Sequence, residues 1–117
     1  MKVIIAGSRS IENMQFLEQT ISEAIIEKEI TITEVVCGMA EGVDTLGKCW
    51  AETNKITVKE FPADWNKYSK AAGFIRNKQM AEYADALIAI CKNNSKGTIN
   101  MIEQMKKLNK IVFEVHI

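Results

Sequence analysis

The chain reads as an α/β protein: a doubly wound, parallel five-stranded sheet with helices on both faces, forming a single domain over residues 1–117. Three observations predict this. Short apolar runs alternate with segments of helical hydrophobic period along the whole length. The runs Val3–Ala6 and Ala86–Cys91 are apolar without interruption, as strands covered on both faces are. A length of 117 residues, 47% apolar and 26% charged, suits one ordinary globular core with no room for a second module.

In order, Lys2–Ala6 is the first strand, stopped by Gly7. Met14, Leu17, Ile21, Ala24 and Ile25 then recur at helical spacing with glutamates between them, so Ile11 to about Lys28 is an amphipathic helix. The β-branched run Glu34–Cys37 is the second strand, and a helix follows from about Gly42 to Thr53. Ile56–Phe61 alternates apolar and polar residues, as an edge strand does, until Pro62 ends it. A third helix spans Ala71 to about Ala84, Ala86–Cys91 is an internal strand, Thr98–Asn109 a fourth helix, and Ile111–Val115 the last strand.

Fifteen Lys and Arg balance fifteen Asp and Glu. Broad electrostatic binding to nucleic acid or to an acidic membrane needs a basic excess, so neither is expected. The apolar runs fall far short of the roughly 20 residues that cross a bilayer, and no signal segment opens the chain, which points to a cytoplasmic protein. Cys37, Cys49 and Cys91 have no C-x-x-C spacing and His116 is the single histidine, so no metal site is expected; the cysteines read as small core residues.

In a doubly wound sheet, ligands bind outside the carboxyl ends of the strands. Three small polar turns fall there: Gly7-Ser8-Arg9-Ser10, the stretch from Gly38 through Glu41 and Gly42 to Asp44, and Asn93 to Thr98 with Ser95 and Gly97. Each leads into a helix N-terminus, where free amides and the helix dipole favour an anion. Four of the six glycines lie in these turns. The pattern is neither G-x-G-x-x-G nor a Walker motif, so the P-loop mechanism and a conventional dehydrogenase are not supported, and no cofactor is expected.

Only two of the fifteen basic residues are arginines, and both fall near these turns: Arg9 in the first, and Arg76 early in the third helix. A guanidinium grips phosphate with two parallel hydrogen bonds where lysine is a flexible point charge. The competing role is a tie to a carboxylate such as Asp44 or Asp64. The long connection from Phe61 to Lys70 carries Trp65 and Tyr68, which suit either stacking on a base or plugging an edge or subunit contact.

Gly7-Ser8-Arg9, Gly38 to Asp44, Phe61 through Asp64-Trp65 to Gly73-Phe74-Ile75-Arg76-Asn77, and Ser95-Lys96-Gly97-Thr98 together resemble the YspA-type branch of the SLOG superfamily. That superfamily includes the Lonely Guy phosphoribohydrolases and DNA-processing protein A. The resemblance runs over nearly the whole chain and implies a Rossmann-like sheet with a site for a nucleotide or its derivative. Its members variously cleave nucleoside monophosphates, bind NAD-derived or cyclic ADP-ribose signals, or contact single-stranded DNA. It implies ligand-binding roles for Arg76 and Asn77, and for Gly97-Thr98 in place of the enzymes' G-G-x-G-T-x-x-E.

The glutamate of that motif is missing. Met101 stands in its place, and Glu103, two residues on, points roughly 200° round the helix. N-glycosidic cleavage needs a carboxylate, and methionine supplies neither charge nor a base. Arg76, Asp44 and Glu103 are therefore catalytic candidates only if the protein is an enzyme. The expected function is binding of a nucleotide-class phosphate compound, as sensor or sequestering protein, with a nucleoside 5′-monophosphate phosphoribohydrolase and a single-stranded DNA-binding protein as alternatives. A homo-oligomer is expected as well. The apolar stripes on the last two helices (Ile75, Met80, Tyr83; Met101, Ile102, Met105, Leu108) serve the protein's own core by default and a subunit interface otherwise.

Overall fold

The computed structural model describes residues 1–38 and 42–117. The elements run β1 (Lys2–Gly7), α1 (Met14–Lys28), β2 (Glu34–Cys37), α2 (Val43–Thr53), β3 (Thr57–Glu60), α3 (Trp65–Tyr68), a 3-10 turn (Ser69–Ala71), α4 (Ala72–Tyr83), β4 (Ala86–Cys91), α5 (Lys96–Lys107) and β5 (Ile111–His116). All pairings are parallel in the order β3-β2-β1-β4-β5. The predicted Rossmann-like sheet is thus present as one compact domain, with β3 on an edge and β4 internal.

The pleat sends alternate residues to opposite faces. Val3, Ile5, Val35, Ile88 and Ile90 join Leu17 and Ile21 of α1 and Val43 and Ala51 of α2. Ile4, Val36, Leu87 and Ala89 join Met80 and Ala81 of α4 and Met101 and Met105 of α5. All six residues of β4 are buried, the reason its sequence has no polar alternation. Met80, Met101, Ile102 and Met105 are core residues; of the two apolar stripes only Leu108 is exposed.

Three local features depart from the periodicity. Helix α1 begins at Met14, not Ile11, because Asn13 is its N-cap, its Oδ1 accepting from the Phe16 amide at 3.1 Å. Ile11 keeps the helical spacing only because it too is buried in the core. The long β3–α4 connection contains the one-turn helix α3, capped by Asp64, whose Oδ1 accepts from the Lys67 amide at 3.0 Å. Cys37 and Cys91 are buried as expected, whereas Cys49 is exposed on α2.

The strand order reverses between β1 and β4, and their carboxyl-end turns are tied together. The Ser8 amide donates to the Ile90 carbonyl at 3.1 Å. Ser8 Oγ accepts from the Lys92 amide at 2.8 Å and faces the Lys92 carbonyl at 3.3 Å. The ligand crevice of a doubly wound sheet opens at this reversal.

Candidate functional site

A cavity of about 460 Å³ occupies the crevice, lined by Ala6, Gly7, Ser8, Arg9, Ser10, Asp44, Arg76, Asn77, Lys92, Ser95, Gly97, Thr98 and Met101. It brings together nine of the residues expected at a site: Gly7, Ser8, Arg9, Asp44, Arg76, Asn77, Ser95, Gly97 and Thr98. Among the described residues, three cationic side chains, Arg9, Arg76 and Lys92, face one carboxylate, Asp44. The lining therefore favours an anion even though the chain as a whole is neutral.

The turn after β4 brings a helix N-terminus to the crevice. Ser95 is the N-cap of α5, yet its side chain makes no capping bond and no acidic residue lies in the first turn. The first intrahelical bond is from the Ile99 amide to the Ser95 carbonyl at 3.0 Å, so the amides before it point out of the helix. Thr98 Oγ1 lies 3.3 Å from Ser95 Oγ. Helix α2 differs, since its first turn holds the buried carboxylate of Asp44. An incoming anion meets an uncapped dipole at α5 and a carboxylate at α2.

The glycines divide by cause. A Cβ at Gly7 would come within 2.4 Å of the Ile90 carbonyl, and one at Gly38 within 2.9 Å of Arg76 Nη1. Gly42, at φ +74°, is in the left-handed region with Ser8 O 2.4 Å from the Cβ it lacks. A Cβ at Gly97 would meet nothing within 4 Å. Folding does not require glycine there, whereas close approach of a ligand to the backbone would.

Arg76 is fixed from two sides. Its Nε donates to Asn77 Oδ1 at 3.1 Å and its Nη1 to the Gly38 carbonyl. Asn77 Nδ2 donates in turn to the Gly97 carbonyl at 3.2 Å and to Asn100 Oδ1 at 3.1 Å. Burial draws the Arg76 guanidinium below its ordinary value; Asp44 opposes this and Arg9 adds to it. The guanidinium stays charged at neutral pH at a desolvation cost, which an anion in the cavity would offset.

The remaining expected residues fall outside this cavity. Gly38 and Gly42 shape its surroundings through Arg76 and the first turn. Asp64 and Tyr68 line a smaller cavity of about 220 Å³ between α3 and α4, of which Arg76 is also a wall. Trp65 lines neither and is exposed, its ring tip 3.6 Å from where a Cβ of Gly73 would sit. Glu103 is exposed on α5 away from the cavity. Glu41 lies outside the described residues. Met101, at the glutamate position of the hydrolase motif, lines the cavity and is buried. Ser10 of the first turn lines it too, and so does Lys92, which was not expected there although it directly follows a strand end, where the same rule would have placed it.

A doubly wound parallel sheet with its crevice at the switch point between β1 and β4 defines a protein of Rossmann-like fold. The YspA, cpYpsA-related SLOG family (YAcAr) matches residues 1–68, and the chain belongs to that family. It is 28% identical over 112 residues to the gene 61 protein of Mycobacterium phage D29, covering 91% of this chain and 89% of that one. Its fold matches DNA processing protein A (DprA) from Streptococcus pneumoniae with a TM-score of 0.72 at 20% identity, over 97% of this chain. The chain spans about half of that structure, 49%. No helix among the described residues is long and apolar enough to cross a membrane.

Proposed function

We propose that residues 1–117 form a nucleotide-binding domain that holds a mononucleotide, an ADP-ribose or NAD-derived compound or a cyclic nucleotide in the β1/β4 crevice, as a sensor or sequestering protein. The observation that carries this reading is Gly97, a glycine without a packing reason at an uncapped helix N-terminus facing Arg9 and Arg76. Phosphate would lie on the α5 amides, with hydroxyl bonds from Ser95 and Thr98 and charge from Arg9, Arg76 and Lys92. Asp44 would accept from ribose hydroxyls.

Calorimetric titration with AMP, GMP, CMP, UMP, NAD, ADP-ribose and cyclic AMP tests it. The expected result is binding at micromolar concentration or tighter by at least one, lost in Arg76→Ala. No heat with any of them sinks the reading.

Asp44 supports a second reading, N-glycosidic hydrolysis of a nucleoside monophosphate, because it is the carboxylate that lines the cavity among the described residues. Chromatography after long incubation decides this: free base must form and must disappear in Asp44→Asn. The fold likeness to DprA gives single-stranded DNA a place in the same screen, where true binding would weaken steeply with salt. Sedimentation at several concentrations tests the expected self-association.

A further inference from the structure

We propose that the smaller cavity between α3 and α4 is the base subsite of the nucleotide site, with Tyr68 as its aromatic wall and Gln79 reading the edge of the base. The inference rests on the nucleotide reading of the main crevice and goes beyond it by assigning the two ends of the ligand to different cavities.

Among the described residues that line the main crevice there is no aromatic side chain. A base held there would gain charge and hydrogen bonds but no ring to stack on, and stacking is the chief source of sequence-tolerant base affinity. The smaller cavity supplies what the crevice lacks: Pro62, Tyr68 and Ile75 give flat apolar surface, and Gln79 gives an amide able both to donate and to accept. Asp64, Lys67 and Arg76 line it as well, so the aromatic ring, not charge, sets this cavity apart. The two cavities therefore differ in the aromatic wall that the smaller one adds, the surface that the base end of a nucleotide needs and the phosphate end does not.

Arg76 joins them. It lines both cavities. Its Nε and Nη1 are engaged by Asn77 and Gly38, while Nη2 has no partner among the described residues and lies 3.9 Å from where a Cβ of Gly73 would sit. A fixed planar guanidinium between the cavities can bind phosphate on one side and lie against a sugar or base on the other. Lys67 holds its Nζ 5.1 Å from the Tyr68 ring centroid, an exposed contact weaker than a base stack, so a ligand can displace it. Trp65, the other aromatic of this segment, borders neither cavity and takes no part.

Calorimetry on the intact chain with AMP, GMP, CMP, UMP and ribose 5-phosphate tests the assignment. At least one mononucleotide is expected to bind ten or more times tighter than ribose 5-phosphate. Tyr68→Ala should shrink that ratio by about 5- to 140-fold, the range for one base–aromatic stack. Gln79→Ala should reorder the preference among the four bases, while Tyr68→Phe, which keeps the ring, should retain the ratio and so separates stacking from a folding defect. If mononucleotides bind and neither alanine variant changes the ratio or the order, the base lies elsewhere and the assignment is overturned, with the nucleotide reading left standing. Equal affinity for ribose 5-phosphate and every mononucleotide overturns it too. No heat with any mononucleotide overturns this assignment, and the nucleotide reading falls with it only if NAD, ADP-ribose and cyclic AMP give no heat either.

Discussion

Asn77 Oδ1 accepts the Nε–H of its chain neighbour Arg76 at 3.1 Å, so the arginine's direction is set by a residue that is itself anchored to another helix. The anchor is Asn77 Nδ2, which donates to Gly97 O and Asn100 Oδ1 at the start of α5. One buried amide thus holds the cation and the helix N-terminus at a constant separation. Asn77→Ala removes the shared partner of three groups, and buried polar groups left unpaired cost about 1–3 kcal/mol. Urea unfolding should show a loss of that size, and AMP affinity should fall about tenfold as Arg76 loses its direction. An unchanged midpoint with unchanged affinity would mean that the amide is not the tie.

Lys110 does comparable work at the other end of α4. Its Nζ donates to the carbonyls of Ala81 at 2.7 Å, Glu82 at 3.1 Å and Ala84 at 2.6 Å, closing the helix C-terminus from the start of β5. A cation here satisfies orphan carbonyls and complements the dipole. Lys110→Met keeps the aliphatic stem and removes only the charge. It should cost about 1–2 kcal/mol in urea unfolding and leave nucleotide affinity unaltered, since the crevice lies at the opposite end of α4. A loss of binding without a loss of stability would contradict this assignment.

Glu114 gives stability a pH dependence of known sign. Lys106 and then His116, each 2.8 Å from a carboxylate oxygen, hold its carboxyl below the ordinary carboxylate range. A carboxylate depressed in the folded state adds stability that is present above its unfolded value, about 4.3. That stability is lost as pH falls through the lower folded value. The bridge is largely solvent-exposed, so Glu114→Gln should cost only about 0.5 kcal/mol at pH 7. The difference from wild type should close below about pH 4. A gap that persists there would point to packing of the side chain and not its charge.

The fold was legible because its signals are local. Uninterrupted apolarity from Ala86 to Cys91 can only suit a strand covered on both faces, and Gly7, Arg9, Gly97 and Thr98 follow strand ends where a doubly wound sheet opens its crevice. What was not legible depends on tertiary placement. Ile11 keeps helical spacing yet sits before the cap because burial, not helicity, selects isoleucine there. Trp65 and Tyr68 are equivalent as letters, and only the turn of α3 puts Tyr68 on a cavity and Trp65 outside it. Asn77 lines the crevice as expected of a ligand contact, and its ties to Arg76 and α5 are tertiary hydrogen bonds that spacing cannot reveal.

The two glycines Gly7 and Gly97 should separate folding from binding. Both follow strands in the crevice, yet a Cβ at position 7 would press on the Ile90 carbonyl at 2.4 Å and on Val43 Cγ2 at 2.7 Å, with backbone on one side unable to yield. Gly7→Ala should therefore destabilise by about 3 kcal/mol. At position 97 the added methyl enters open space, and alanine is the better helix residue by up to about 1 kcal/mol. Gly97→Ala should keep or raise the melting temperature while lowering affinity for AMP and for ribose 5-phosphate at least tenfold, because the methyl occupies the approach to the α5 amides. Full affinity in this variant would place the phosphate away from α5, since no other consequence of the substitution could restore contact with those amides.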